Sequence, residues 1–526
     1  MRMRHKLAIR RKYSGTKGVV HRLAANAAGW GDAYLTVFLS LCLPVILSLF
    51  MVLLNGARMG AVRMQAEVAA DTAADSALAE FHKELLSQYD LLMIDTSYGT
   101  DSPSVSNTEN HLKNYMEKNF STTDNSVSDF TGLSLTTLSV SDTRFAADND
   151  CEALREQIYA YIAAEPVGEI AAEILAEIDT FNGLGLDTSG WSSLKSENEA
   201  EVKEAVSQAQ SAAAQEDSDE DDSEEDENDE LEEAQSYVES QGVSTSDAIG
   251  IYDTLDQMLS QPILTQVFGS TSSLSQAETD LSVLLSGREI HLGEGAEAEN
   301  SHNYQEADTI TFDIYAFEKC GSYVNQLDKS VLKYQLEYLL YGKDSDLSNL
   351  EKTAETLLLI RLAANLVTIY QDSGRLAQAK TWGSVIAILL AAPSLESVFT
   401  TAIVLIWTYM ESLQDVRTLL EGGSVSLIKS SSEWKTGLTS VFTGNISSSA
   451  GSSGLDYETY LHILLFLESS GTKNYRLMDL MEMDIRTTDG NEDFQMDWCM
   501  DTFTMEAVVS SSYGYSYTIT REVTYN

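Results

Sequence analysis

YLTVFLSLCLPVILSLFMVLL, residues 34–54, runs for 21 residues without a charge. At about 1.5 Å of rise per residue, a helix of that length matches a hydrocarbon layer of roughly 30 Å. The stretch therefore reads as a transmembrane helix bounded by Tyr34 and Leu54, with Pro44 expected to kink it. A cleaved secretory signal is the competing reading. Its apolar region normally spans about 7–15 residues and closes on a small-residue A-x-A site, and this run is longer and lacks one.

The flanks give the run a direction. Residues 1–33 carry Arg2, Arg4, Lys6, Arg10, Arg11, Lys12, Lys17 and Arg22 against one acid, Asp32, and only Arg58 and Arg63 lie just beyond the other end. The positive-inside bias then holds the N-terminus in the cytoplasm and sends everything after Leu54 outside the cell membrane as a single-pass protein.

The chain as a whole has 33 Lys+Arg and 81 Asp+Glu, a net charge of −48, and the part after residue 33 keeps 25 of those bases against 80 of those acids. Such a charge excludes nucleic acid and anionic lipid as partners of the exported part. With 43% hydrophobic residues in 526, that part has enough apolar material to bury a core.

After Leu54 the helical composition continues as NGARMGAVRMQAEVAADTAADSALAEFHKELLSQYDLL. Ala66, Ala70, Ala73, Ala77 and Phe81 share one face, and Glu67, Asp71 and Asp75 a neighbouring one. Gly56-x-x-x-Gly60 extends the small-residue surface to the membrane boundary. These small residues predict close helix packing, either onto the chain's own exported part or between subunits.

The expected organisation is a basic cytoplasmic segment (1–33), the span (34–54), a stem helix (55–92) and a first ectodomain part of strand plus helices (93–198). An acidic disordered linker (199–245), a helical core (246–450) and a helix with C-terminal strands (451–526) follow. LSLTTLSVSDTRF (133–145) alternates as a strand does, and Val167, Ile170, Ile174, Ile178 and Phe181 recur at helical spacing beyond Pro166. Between 216 and 233 fourteen of eighteen residues are acidic, and with almost nothing to bury the segment is expected to stay extended. It lacks the ligand spacing of a calcium loop.

Helical periodicity returns over 247–259, 309–341, 348–371, 375–392, 395–420 and 456–486, and 505–526 reads as a closing hairpin. Within 382–410, Pro393 and Glu396 split an apolar stretch into runs too short to span, so both are read as buried core helices. The fold class is α+β and predominantly helical, with a long N-terminal transmembrane-plus-stem helix and a small antiparallel sheet formed in part by the C-terminal hairpin.

No nucleophile elbow, P-loop, H-E-x-x-H or dinucleotide fingerprint occurs, so no catalytic, cofactor-binding or metal-ligating residue is assigned. LLMIDTSYG (91–99) places Asp95 and Ser97 like the start of a D-x-S-x-S metal-adhesion motif, but Gly99 stands in for the second serine. Cys151, Cys320 and Cys499 form an odd set outside the span, from which one disulfide is allowed and none required. Glu337, Arg361 with Asn365, Glu411 with Asp415, and Arg476 lie on apolar helices and are expected to form a structural polar core.

Residues 29–82 resemble the TadE/TadG-like accessory proteins of Flp pili in the basic leader, the short span with a mid-span proline, and the Ala/Asp-rich run QAEVAADTAADSALAEF (65–81). The full length is similar to an uncharacterised family of Gram-positive membrane proteins sharing that N-terminus. That likeness lies in YLTVFLSL (34–41), RMQAE (63–67), QYDLLMIDTSYG (88–99), LEYLLYGK (336–343), R-x-x-x-N (361–365) and YRLMDLMEMDIR (475–486).

The resemblance implies a non-enzymatic, surface-exposed component of a Tad/Flp-type pilus or secretion apparatus, with the membrane and other apparatus proteins as partners. The alternative is a membrane-anchored binding protein for a cation or cell-envelope ligand. Cleavage after Gly31 would put Thr36 where processed pilins carry glutamate, so an uncleaved anchor is expected.

Overall fold

The computed structural model describes residues 17–120, 131–164, 168–185, 204, 224–250, 260–294, 306–443 and 454–525. It is mostly helical, with a small antiparallel sheet that includes the C-terminal strands. The described chain packs as two units.

The first unit is built on the N-terminal helix through Ala77, with Glu109–Ser141 and Thr504–Glu522. Helix α1, Lys17–Leu78, has no break at the end of the apolar run, because neither Gly56 nor Gly60 is enough to stop a helix so rich in Ala and Leu. Pro44 sits inside it and removes one backbone donor. The hydroxyls of Ser40 and Ser48 donate to Val37 O and Val45 O, each at 2.8 Å, so these polar groups in the apolar run bond within the helix. Apolar side chains from Tyr34 to Leu53 are exposed on every face, Leu41 at 68%, Val45 at 66% and Val52 at 68%. A helix apolar all round requires an apolar surround.

Past Arg58 the exposure changes: Val62, Ala66, Ala70, Ala73 and Ala77 have no exposed surface. The alanine face is covered within the chain. Gln65 accepts from the Thr131 hydroxyl at 2.7 Å, Arg521 pairs with Asp71 at 2.5 Å, and the Arg58 guanidinium lies 3.6 Å from the centre of the Tyr513 ring. Of the two packing options left open by the sequence, the stem alanines take the one within the chain. Gly56 and Gly60 have nothing within 4 Å of a built Cβ, so they do not belong to that packed face.

The stem expected over 55–92 ends earlier, at Leu78, and a separate helix α2, Lys83–Tyr89, follows. His82 caps α2 by accepting from Leu85 N, and Asp90 closes it in the left-handed conformation, φ 54°. Beyond strand β1, Ile94–Asp95, comes helix α3, Val105–Phe120. Strand β2 is Leu133–Phe145.

The second unit comprises Leu78–Thr108, the chain from Asp142 to Phe503, and the last residues from Val523. Its helices are α4 (Asp148–Ala163), α5 (Gly168–Gly183), α6 (Glu224–Ser240), α7 (Thr245–Ile249), α8 (Ile263–Phe268) and α9 (Glu306–Lys319). They continue as α10 (Gln335–Tyr341), α11 (Asp346–Gln371), α12 (Ser373–Leu389), α13 (Glu396–Leu420), α14 (Leu438–Thr443), α15 (Tyr457–Leu467) and α16 (Ser470–Ile485).

Strands β3, Cys499–Ser511, and β4, Ser516–Thr524, close the chain, and β3 pairs with β1, β2 and β4. Ile94 stands opposite Met500 and Asp95 opposite Cys499, antiparallel. At the hairpin, Ser511 N donates to Tyr515 O and Ser512 N to Gly132 O, both at 2.8 Å. Gly132 has φ +56°, and a Cβ there would meet Ser512 Oγ at 2.0 Å, so this approach requires glycine.

The structure corrects two further expectations. The acidic segment is not wholly extended: Glu224–Ser240 is helical, whereas 216–223 lies outside the described residues. Ala234 and Val238 are buried with Trp382, Ile386 and Phe399, and Tyr237 packs edge-on to Trp382, which supplies the apolar contact the acids alone lack. The helical stretch expected over 309–341 is also divided, into α9 and α10. Gln335 Oε1 and Glu337 Oε1 instead accept from Gly321 N and Tyr323 N in the intervening loop. The Pro166 boundary and most of 247–259 lie outside the described residues.

Residues 382–410 fall in α12 and α13, joined by a short turn at Pro393–Leu395, with Trp382, Ile386, Ile403 and Trp407 buried. Helix α11 is long and apolar enough to cross a membrane, yet most of it is buried in the fold.

Filling the alanine face is expected to destabilise the fold. Ala73→Leu overpacks a closed contact and should cost about 1–3 kcal/mol. Gly60→Leu, on an open helical surface, should leave stability unchanged or slightly raised. Denaturation of the detergent-solubilised full chain measures both, and equal effects would contradict the assignment of the packed face.

Candidate functional site

The polar residues of the helical core fall into separate clusters. In the first, Arg361 of α11 is fully buried. Its Nε donates to Asp415 Oδ2 at 3.0 Å, one terminal nitrogen donates to Leu427 O at 2.9 Å and Tyr460 Oη at 3.0 Å, and the other to Asn365 Oδ1 at 3.3 Å. Asn365 passes its own amide hydrogens to Ser412 Oγ and Asp415 Oδ2.

Lys429, from the segment after α13, pairs with both Glu411 and Asp415. Glu411 also accepts from the backbone of Lys435 and Thr436. Two cations and two carboxylates therefore balance inside the core, and the charges hold the segment around 427–436 against α11 and α13. Removing one partner from such a set leaves an uncompensated buried charge, at about 3–5 kcal/mol.

Glu337 and Arg476 are held elsewhere. Arg476 donates to Leu339 O and Leu340 O at 2.8 and 2.6 Å, satisfying carbonyls at the end of α10. Gly342 makes the left-handed cap there, with φ +56°, and a Cβ would meet Arg476 Nε at 2.7 Å. Glu337 accepts from Tyr457 Oη at 2.5 Å and Tyr323 N at 2.8 Å, while its other oxygen has no hydrogen-bond partner. Burial pushes the Glu337 carboxyl up to about 7.

A further set, not assigned from sequence, lies on α16. Asp479 accepts from Ser286 N and Tyr338 Oη. Glu482 takes two bonds from Arg288 at 2.9 and 2.8 Å, one from Arg486 and one from Met496 N. Asp484 accepts from Tyr89 Oη, Gln335 Nε2 and Val331 N. Burial raises the pKa of all three carboxyls, and the donors around them oppose that shift. At the other end of α16, buried Lys473 donates to Asp313 Oδ1 at 2.6 Å and Leu465 O at 2.7 Å. LMDLMEMD contains the signal: three acids threaded through Leu and Met on a helix must face either solvent or dedicated partners.

A cleft of about 250 Å³ is lined by Pro262, Ile263, Glu351, Glu355, Leu362 and Tyr409, among others. Glu351 already accepts from Ile263 N and Leu264 N, capping α8. At the Asp95 turn, Asp95 accepts from Ser97 N at 2.8 Å and Ser97 Oγ at 2.6 Å, and Ser97 Oγ accepts from Gly99 N. These bonds define a local turn. Among the described residues, no group of three or more His, Cys, Asp or Glu is placed to hold a metal ion. Cys151, Cys320 and Cys499 are buried free thiols.

These clusters describe an α+β protein with a charged but internally matched helical core and an apolar N-terminal helix suited to a membrane anchor or signal sequence. The chain belongs to the DUF5702 family, a family of unknown function, whose match covers residues 242–511. That region holds the Arg361 cluster, Glu337 and the carboxylates of α16. No curated protein and no solved structure matches the chain.

Glu337 gives the core a pH dependence of defined sign. Its folded pKa exceeds the ordinary glutamate value, so the folded chain keeps a proton that the unfolded chain releases. The associated stability is present below about pH 4.5 and is lost as pH rises to about 7. Glu337→Gln retains an acceptor without the charge. Its denaturation midpoint relative to the unaltered chain should rise between those pH values, and a pH-independent difference would contradict the assignment.

Proposed function

We propose that the chain is a single-span surface protein with its N-terminus in the cytoplasm and its bulk outside, acting as a structural or assembly component of a Tad/Flp-type pilus or secretion apparatus. The observation that carries the anchoring is the contrast along α1. Residues 34–53 are apolar and exposed on all faces, whereas the alanine face beyond Val62 is buried. The likeness of residues 29–82 to TadE/TadG-like proteins supports the pilus or secretion assignment, and the basic residues before the span support the orientation.

A structural role agrees with how the polar core is used. Arg361, Asp415, Glu411 and Lys429 neutralise one another, and the α16 carboxylates secure backbone and side-chain donors from neighbouring segments. Because the stem alanines are engaged within the chain, partners in the membrane meet the span itself and the Gly56/Gly60 surface. The open space at both glycines favours helix–helix association there, where close packing is the main attraction.

The test is co-purification of apparatus components with the full chain from solubilised membranes. Replacing Gly56 and Gly60 together by Leu should abolish it while leaving the fold intact. Retention of the same components would contradict the assembly surface, and failure of the unaltered chain to retain any would contradict the pilus or secretion assignment.

A further inference from the structure

The C-terminal hairpin lies along the stem. Near its tip, the Tyr513 ring lies against Arg58, and eight residues further along the chain Arg521 pairs with Asp71. Eight extended residues cover roughly 26 Å, and the thirteen helical residues from Arg58 to Asp71 roughly 20 Å, so the two elements run side by side. The tip points toward the apolar end of the helix.

Arg58 lies four residues beyond Leu54, about 6 Å along the helix. The polar layer on each side of a bilayer is about 5–8 Å thick. Resting on the reading of 34–54 as a membrane span, we propose that the hairpin tip, with Tyr513 and Tyr515, seats in the headgroup layer of the outer leaflet and forms a second contact between the chain and the bilayer.

The composition of the tip fits that surround. From Ala507 to Thr520 there is no charged residue, in a chain where 81 of 526 are acidic. Tyr513 is 44% exposed at the turn, and Gly514 allows the reversal with φ +88°. Tyrosine places an apolar ring and a polar tip at the level where a membrane offers both. The acidity of the rest of the exported part does not oppose the contact, since the hairpin tip itself is neutral and Arg58 beside it is basic.

The experiment uses the full chain in phosphatidylcholine nanodiscs, with photoreactive p-benzoylphenylalanine replacing Phe50, Tyr513 or Thr520 in separate preparations. Lipid adducts are read by mass spectrometry after irradiation. Phe50 reports the span, and Thr520 lies about 23 Å along the strand from the tip. The expected result is lipid adducts at Phe50 and Tyr513, with a several-fold lower yield at Thr520. Adducts at Phe50 with Tyr513 no higher than Thr520 would overturn the hairpin contact and leave the span standing. An absence of adducts at Phe50 would overturn the span and the hairpin contact together.

Discussion

One unbroken helix must satisfy two surroundings, and the rest of the first unit follows from that constraint. Over residues 34–53 it offers apolar side chains in every direction. From Val62 it presents a buried face narrowed to alanine, which lets other parts of the chain approach closely. The change of surround occurs without a hinge. Arg58 and Arg63 mark it, the first against the Tyr513 ring and the second paired with Glu67.

The second unit meets a different problem, the excess of acid. Its solution is to give buried carboxylates several donors each. Asp484 relies on a tyrosine hydroxyl, a glutamine amide and a backbone N–H, while Glu482 adds two arginines to a backbone donor. Hydrogen bonds to a charged acceptor offset part of its desolvation cost. The same bonds tie segments distant in sequence to α16, so the carboxylates organise loops as well as helices.

Much of the architecture is legible in the sequence because it rests on periodicity. Strand 133–145 follows from alternation, the closing hairpin from Tyr, Val, Thr and Ile around a Ser/Tyr/Gly turn, and the helices over 348–371 and 395–420 from apolar spacing. Helix α3 is less legible, because in VSNTENHLKNYMEKNF only Leu112, Met116 and Phe120 bury apolar side chains among polar neighbours. Charge hides helix α6, since Ala234, Tyr237 and Val238 are only three residues among many acids. Arg361, Asn365, Glu411 and Asp415 meet in space, but Lys429, which completes their charge balance, comes from a segment with no helical pattern. Residue type alone groups Glu337 and Arg476 with them, although each serves a separate part of the core.

The proposed topology is tested most directly by labelling intact cells with a membrane-impermeant maleimide after Ser273→Cys. Ser273 is exposed, while Cys151, Cys320 and Cys499 are buried. The account predicts labelling at residue 273 without permeabilisation. Labelling that appears only after the membrane is opened would place the bulk of the chain inside and contradict it.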